Sequence, residues 1–192
     1  STNRILNIQP TAANNVWWIT QDRKLYLYDT HLCQFLKTSN QINEKFKVDF
    51  RADNIYDING GNTWVTSTNA DYLLRTNDTD VLDFELIHVG QKGLKSGKVY
   101  FIYGDKKHRE WILTDKGTTI YGKKFSTNVP YKWIREVGEY VFLATENGKV
   151  IVVDEKNRAT NVPLPEGITH INELKNTDYQ LLLATNLGVV IY

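Results

Sequence analysis

Short apolar runs closed by polar turns fill this chain, and one run recurs. Val16-Trp17-Trp18-Ile19-Thr20 places strand-forming residues before a hydroxyl, then a polar turn, then a second apolar run, Lys24-Leu25-Tyr26-Leu27-Tyr28. The same order returns at Thr63–Ser67, Glu110–Thr114, Val141–Thr145 and Leu181–Thr185. The closing hydroxyls stand at 20, 67, 114, 145 and 185, spacings of 47, 47, 31 and 40. A recurrence near 40 residues is the sequence mark of stacked structural repeats.

Around each recurrence the pattern predicts further short strands. In the first unit, Arg4–Ile8 precedes the anchored run and Leu32–Lys37 closes it. The second unit has Asn54–Ile58, a tight hairpin at Asn59-Gly60-Gly61-Asn62, then Tyr72–Arg75 and Asp83–Val89. The third has Lys98–Tyr103, a turn at Gly104–Arg109 and Thr118–Tyr121, with its fourth strand around Lys124–Ser126 short or missing. The fourth has Trp133–Val137 and Lys149–Asp154, with a connector at Asn161-Val162-Pro163-Leu164-Pro165. The fifth has Ile168–Leu174 and Val189–Tyr192 and no fourth strand. No segment sustains a helical period, so the expected fold class is all-β. Inter-blade loops are expected at 38–53 and 90–97.

The anchored runs are apolar at consecutive positions, as in Trp111-Ile112-Leu113, and such strands are covered on both faces. Four-stranded meanders covered on both faces of the second strand stack as the blades of a β-propeller. Gly117, Gly148 and Gly188 lie three places after the hydroxyl, where a tight turn needs positive φ. Arg23 and Ala70 stand there in units one and two, so those turns are expected to differ. The hydroxyl itself can bond the turn backbone, which explains why Val does not replace it. The expected architecture is a single β-propeller segment over 1–192, with about five four-stranded antiparallel blades and the last incomplete. The units run roughly over 4–53, 54–96, 97–130, 131–165 and 166–192.

Composition narrows the function classes. With 192 residues, 41% hydrophobic and 12% aromatic, the chain can bury a core. Twenty-three basic against 22 acidic residues leave a formal charge of +1, which gives no electrostatic case for nucleic acid or an anionic membrane surface. The one cysteine, Cys33, excludes an intrachain disulfide framework, and no run approaches the length of a membrane span. Methionine is absent and the chain closes at Val189-Val190-Ile191-Tyr192 in mid-strand, so a piece of a longer protein is expected.

The units VWWITQDRKLYLYD, EWILTDKGTTIYG and VFLATENGKVIVVD resemble the two-component regulator propeller repeat. Unit two departs most, with Ser67 for Thr and no turn glycine. The resemblance implies the periplasmic sensor region of a Bacteroides-type hybrid two-component system. There, larger seven-bladed rings recognise polysaccharide breakdown products and signal through a membrane helix to a histidine kinase. It also implies an oligosaccharide or other small ligand, a membrane span elsewhere in the parent protein, and no catalysis by this chain.

Candidate site residues follow from blade geometry. The turn between second and third strands and the connection between blades share one rim, so variable turn residues are expected to carry function. These are Asp22, Arg23, Asn69, Asp71, Asp115, Lys116, Glu146 and Asn147, with Trp133 as the aromatic outside the core. Trp17, Trp64 and Trp111 share one repeat offset with Phe142 and Leu182 and are expected to pack blade on blade. Trp18 is expected in the core as well. His31, His88, His108 and His170 show no metal-ligand spacing. The acidic run Thr76–Asp80 lacks the glycine and terminal Glu of a calcium loop. No cofactor or metal is therefore expected. A lyase-like propeller enzyme and a protein-interaction scaffold are the competing readings. An open arc of blades leaves apolar end faces, so self-association is expected.

Overall fold

A simple alternation organises every sheet. In β2 (Asn15–Thr20), Trp17 and Ile19 are buried on one face while Trp18 lies half-buried on the other. Trp17 and Ile19, with Leu25 and Leu27, form a cluster with Ile55, Val65 and Leu74 of the following sheet. Trp111 and Leu113 meet Ile134, Leu143 and Ile151 in the same way. Phe142 and Ala144 in turn meet Leu174 and Leu183. The residue three places before the closing hydroxyl thus faces forward to the next sheet, and the residue two places before it faces back.

The computed structural model describes residues 4–11, 14–58, 62–77 and 83–192. The hairpin expected at Asn59–Asn62 and the acidic run Thr76–Asp80 fall in large part outside the described residues. The described chain is all-β apart from one short helix and forms two units, Ser1–Lys92 and Gly93–Tyr192.

The first unit holds two antiparallel four-stranded meanders. One comprises β1 (Ile5–Pro10), β2, β3 (Leu25–Asp29) and β4 (Gln34–Thr38). The other comprises β5 (Ala52–Ile58), β6 (Asn62–Ser67), β7 (Tyr72–Asn77) and β8 (Phe84–His88). The expected loop at 38–53 instead contains α1 (Ser39–Phe46). The Gln41 side chain accepts from the Thr38 backbone N–H at 2.7 Å, Ile42 is fully buried, and Lys47 ends the helix in the left-handed region. Eight residues with one fully buried apolar anchor are too few to show a helical period.

The second unit holds three meanders. The first contains β9 (Val99–Gly104), β10 (Glu110–Thr114), β11 (Gly117–Ile120) and a two-residue β12 (Ser126–Thr127). The next has β13 (Trp133–Val137), β14 (Tyr140–Ala144), β15 (Val150–Val153) and β16 (Ala159–Asn161). The last has three strands among the described residues, β17 (Ile171–Asn176), β18 (Leu181–Thr185) and β19 (Gly188–Ile191). First strands of successive sheets lie side by side, β1 with β5 and β13 with β17, which is the inner-strand arrangement of propeller blades.

All five closing hydroxyls bond their turns. Thr20 Oγ donates to Asp22 at 2.6 Å and Thr145 Oγ to Asn147 at 2.6 Å. Thr114 and Thr185 donate to the carbonyls of Gly117 and Gly188 at 3.0 and 2.8 Å, and Ser67 accepts from the Tyr72 N–H at 3.0 Å. The expectation that Arg23 and Ala70 impose different turns is corrected in one respect. Both adopt positive φ, 64° and 58°, like the glycines at the equivalent position. Thr114 and Thr185 pair directly with Gly117 and Gly188 across two-residue turns. Thr20 and Thr145 bond residues 24 and 149 across three-residue turns, with Arg23 and Gly148 left-handed. Turn length, rather than the presence of glycine, separates the classes. Gly117 has a further reason to lack a side chain: a Cβ there would lie 2.1 Å from the Thr127 carbonyl.

Polar cross-links tie blades together inside each unit. Lys37 is fully buried and donates to Thr76 Oγ and to the carbonyls of Asn77 and Asp83 in the second blade. In the second unit, buried Asp105 accepts from Arg109 at 2.6 Å and from the Trp111 indole at 2.8 Å. Arg109 continues to the Asp154 carbonyl and the Asn157 side chain at 2.7 and 3.0 Å. Asp154 closes a hairpin of the same design on Arg158, and the Arg158 backbone N–H leads the bonds that hold its carboxyl below the ordinary range.

Candidate functional site

The turn between the second and third strands lies beside the connection to the next blade. The Arg23 carbonyl accepts from Ala52 N–H at 2.9 Å, and the Glu146 carbonyl accepts from Ile171 N–H at 2.9 Å. Turn and connection therefore wall clefts in both units.

The larger cleft, about 880 Å³, belongs to the fourth blade. The turn between β14 and β15 contributes Glu146, Asn147, Gly148 and Lys149, and the connection from the third blade contributes Val129, Pro130 and Lys132. Asn161 ends β16 and Val162 and Leu164 follow it, and Tyr100, 43% exposed, enters from β9. Lys132 and Glu146 form an ion pair at 3.2 Å, and Lys132 Nζ also lies 5.1 Å from the Trp133 ring centre. The lining combines the apolar side chains of Val129, Val150, Val162 and Leu164 and the ring of Tyr100 with two amides, two ammonium groups and a carboxylate. Such a surface suits a ligand with an apolar face and hydroxyl-bearing edges.

The first blade has a smaller cleft, about 410 Å³, lined by Asp22, Arg23, Ser39, Asn43, Asp49 and neighbouring residues. Here α1 occupies the space between turn and next blade. Its polar groups are engaged with one another: Asp22 takes the Thr20 hydroxyl and lies 3.5 Å from Lys24, and Arg23 pairs with Asp53 at 2.9 Å.

Of the expected site residues, the structure gathers Glu146 and Asn147 in the larger cleft and Asp22 and Arg23 in the smaller one. Asn69 and Asp71 bond each other at 2.8 Å and line neither cleft. Asp115 and Lys116 also lie outside both. Asp115 turns one carboxylate oxygen inward, where a Cβ on Gly97 would be 2.0 Å away. Trp133 lies half-buried against the cluster of Ala144, Val150 and Ile171. Trp18 departs from the expected core. It stacks on Tyr28 at 5.7 Å and meets Phe35 edge-on at 5.6 Å, on a face that no sheet covers among the described residues. Tyr100, Lys132 and Asn161 were not legible as site residues, because each comes from a segment without the repeat motif.

Two tyrosines of the cluster between the third and fourth sheets are held neutral. Burial, then the nearby Glu136 carboxylate 3.4 Å from its hydroxyl, pushes the Tyr103 phenol up to about 12. Burial alone pushes Tyr131 up to about 12. Neither His108 nor His170 bonds a carboxylate: His108 sits at positive φ in the Asp105 turn, and the His170 N–H donates to Asn186 at 3.1 Å. Among the described residues no three His, Cys, Asp or Glu side chains group as metal ligands, and no helix is long and apolar enough to cross a membrane.

No family model and no curated protein matches this chain. Solved structures do. The extracellular domain of a hybrid two component system from B. thetaiotaomicron superposes with a TM-score of 0.61 at 15% identity, over 97% of this chain and 26% of that one. The Cps50 β-propeller domain of Myceliophteria thermophila gives 0.55 at 9% identity, over 96% and 63%. A streptogramin B lyase gives 0.57 at 13% identity, over 99% and 68%. The fold is that of β-propeller blades. The chain spans about a quarter of the length of the extracellular domain it matches.

Proposed function

We propose that this chain is part of the extracytoplasmic sensor region of a two-component signalling protein and binds an oligosaccharide in the cleft beside the fourth blade. The observation that carries this reading is the cleft itself. Tyr100, Val162 and Leu164 offer apolar surface to a sugar face, and Asn147, Asn161 and the Lys132–Glu146 pair offer bonds to its hydroxyls. The recurring repeat and the likeness to a two component extracellular domain supply the signalling context. The polar groups need no proton transfer to act, so binding alone suffices, and the signal passes to a kinase region elsewhere in the parent protein.

Calorimetric titration of the chain with a panel of neutral and uronate-bearing oligosaccharides tests the reading. Saturable binding to at least one, lost on Tyr100→Ala, is the expected result. Absence of binding across the panel by the folded protein would overturn it.

A further inference from the structure

A second cleft of the second unit, about 550 Å³, opens at the other end of the sheets. In an antiparallel meander the turn from third to fourth strand lies at the sheet end opposite the turn from second to third. Two such turns wall this cleft: residues 122–126 from the β11–β12 turn, and Lys156 and Asn157 from the β15–β16 turn. Three of the lining residues are lysines, Lys123, Lys124 and Lys156, and none is a carboxylate. All three are exposed, and among the described residues none of their ammonium groups has a hydrogen-bond or ion-pair partner. The whole chain carries a formal charge of only +1, so this concentration is local. The corresponding turn of the first sheet, residues 30–33, contains no lysine.

The neighbouring carboxylates are already engaged. Asp154 accepts from the Lys156 and Arg158 backbone N–H groups at 2.9 Å each and from the Arg158 guanidinium at 2.7 Å. Glu155 and Glu139 both take Lys107 Nζ, at 3.1 and 2.6 Å. Asp105 is buried and holds Arg109 and Trp111.

The two walls are braced against each other. Arg109 donates to Asn157 Oδ1 at 3.0 Å, its guanidinium lies 5.2 Å from the Trp111 ring centre, and Phe125 meets Trp111 edge-on at 5.4 Å. With its oxygen taken by Arg109, the Asn157 amide keeps its nitrogen as a donor. Gly122 turns its hairpin at φ 69°, with open space where a Cβ would stand. The cleft therefore presents three cations, an amide donor and the Ser126 hydroxyl on a fixed frame, an arrangement that favours a compact negative charge. Three lysines around one cleft suit a small anion and do not form the extended basic track that a nucleic acid requires.

We propose that this cleft binds a small ligand through a dianionic oxyanion group, the chemistry shared by phosphate and sulfate esters. The site is separate from the larger cleft beside the fourth blade and does not depend on the oligosaccharide reading.

Calorimetric titration of the chain with inorganic pyrophosphate and with inorganic sulfate, at low ionic strength, tests the proposal. Saturable binding of at least one is expected; tighter pyrophosphate assigns the phosphate ester and tighter sulfate the sulfate ester. Lys123→Gln or Lys156→Gln should weaken it severalfold, and the two together by about tenfold or more. These positions are exposed, so the variants should keep the circular dichroism of the wild type. Lys132→Gln with Lys149→Gln, in the larger cleft, should bind the anion as the wild type does. No saturable binding of either anion overturns the proposal. So does binding that survives the Lys123 and Lys156 double variant, binding that falls equally in the Lys132 and Lys149 double variant, or displacement by acetate at equal concentration.

Discussion

The first and fourth blades carry the same turn, yet the cleft beside the fourth has about twice the volume of the cleft beside the first. Thr20 and Thr145 each bond their turn in the same way, and Arg23 and Gly148 both take positive φ. The difference lies in what stands opposite. At the first blade α1 fills the space and the charged turn residues pair off locally. At the fourth, an extended connector through Pro130 and a second one after Asn161 leave about 880 Å³ between them. The repeat fixes where a turn sits, and the connection beside it sets how much space that turn faces.

The largest expected effect breaks the smaller cleft. Ile42→Ala removes the fully buried anchor of α1 and should cost about 2–5 kcal/mol, read from denaturant unfolding. Hydrogen exchange should rise over 39–50 and stay unchanged at 145–149. Equal change at both turns would contradict the separate roles assigned to the two connections.

The second prediction probes the second unit by pH. Below about pH 10 the phenols of Tyr103 and Tyr131 are protonated whether folded or unfolded. Above it the unfolded chain releases those protons, while the folded chain holds them up to about 12. Stability is therefore lost as pH rises through that window, by up to about 3 kcal/mol for a fully buried phenol. Tyr131→Phe should remove part of the alkaline loss, measured as the change in denaturation midpoint between pH 9 and pH 11. An unchanged alkaline loss in that variant would show that Tyr131 is not the group responsible.

Exchanging the turn residues sharpens the comparison further. Gly148→Arg places a side chain at positive φ with its Cβ 3.2 Å from the Ile168 carbonyl, and should cost about 1–2 kcal/mol while narrowing the cleft. The reverse change, Arg23→Gly, relieves the backbone but gives up a half-exposed ion pair, so it should stay within about 1 kcal/mol of wild type. Thermal melts of the two variants check both values, and a larger loss from Arg23→Gly than from Gly148→Arg would reverse the account.

Much of the fold was legible because it repeats. Five hydroxyls at one offset counted the sheets and placed their turns, and the shortened fourth strand of the third sheet followed from the 31-residue spacing. The helix was not legible, although Thr38 and Gln41 carried the spacing of a capping box. Nor was the Asp–Arg hairpin, present twice as Asp105–Arg109 and Asp154–Arg158, because it lies outside the anchored run. Trp18 was misplaced for a physical reason. Its offset packs against a preceding sheet everywhere else inside the units, and here no sheet lies on that face among the described residues. The candidate site was half legible: Glu146 and Asn147 follow from the turn, whereas Tyr100, Lys132 and Asn161 converge only once three separate segments are folded together.

The central claim is that the fourth blade's cleft binds ligand and the first blade's cleft does not. It is tested most directly by titrating one binding oligosaccharide into wild type, Tyr100→Ala, Asn147→Ala and Asp22→Ala. Affinity should fall tenfold or more, about 1.4 kcal/mol, for Tyr100→Ala and Asn147→Ala, and stay unchanged for Asp22→Ala. Loss of affinity in Asp22→Ala, with Tyr100→Ala and Asn147→Ala binding like wild type, would place the site at the first blade and contradict the account.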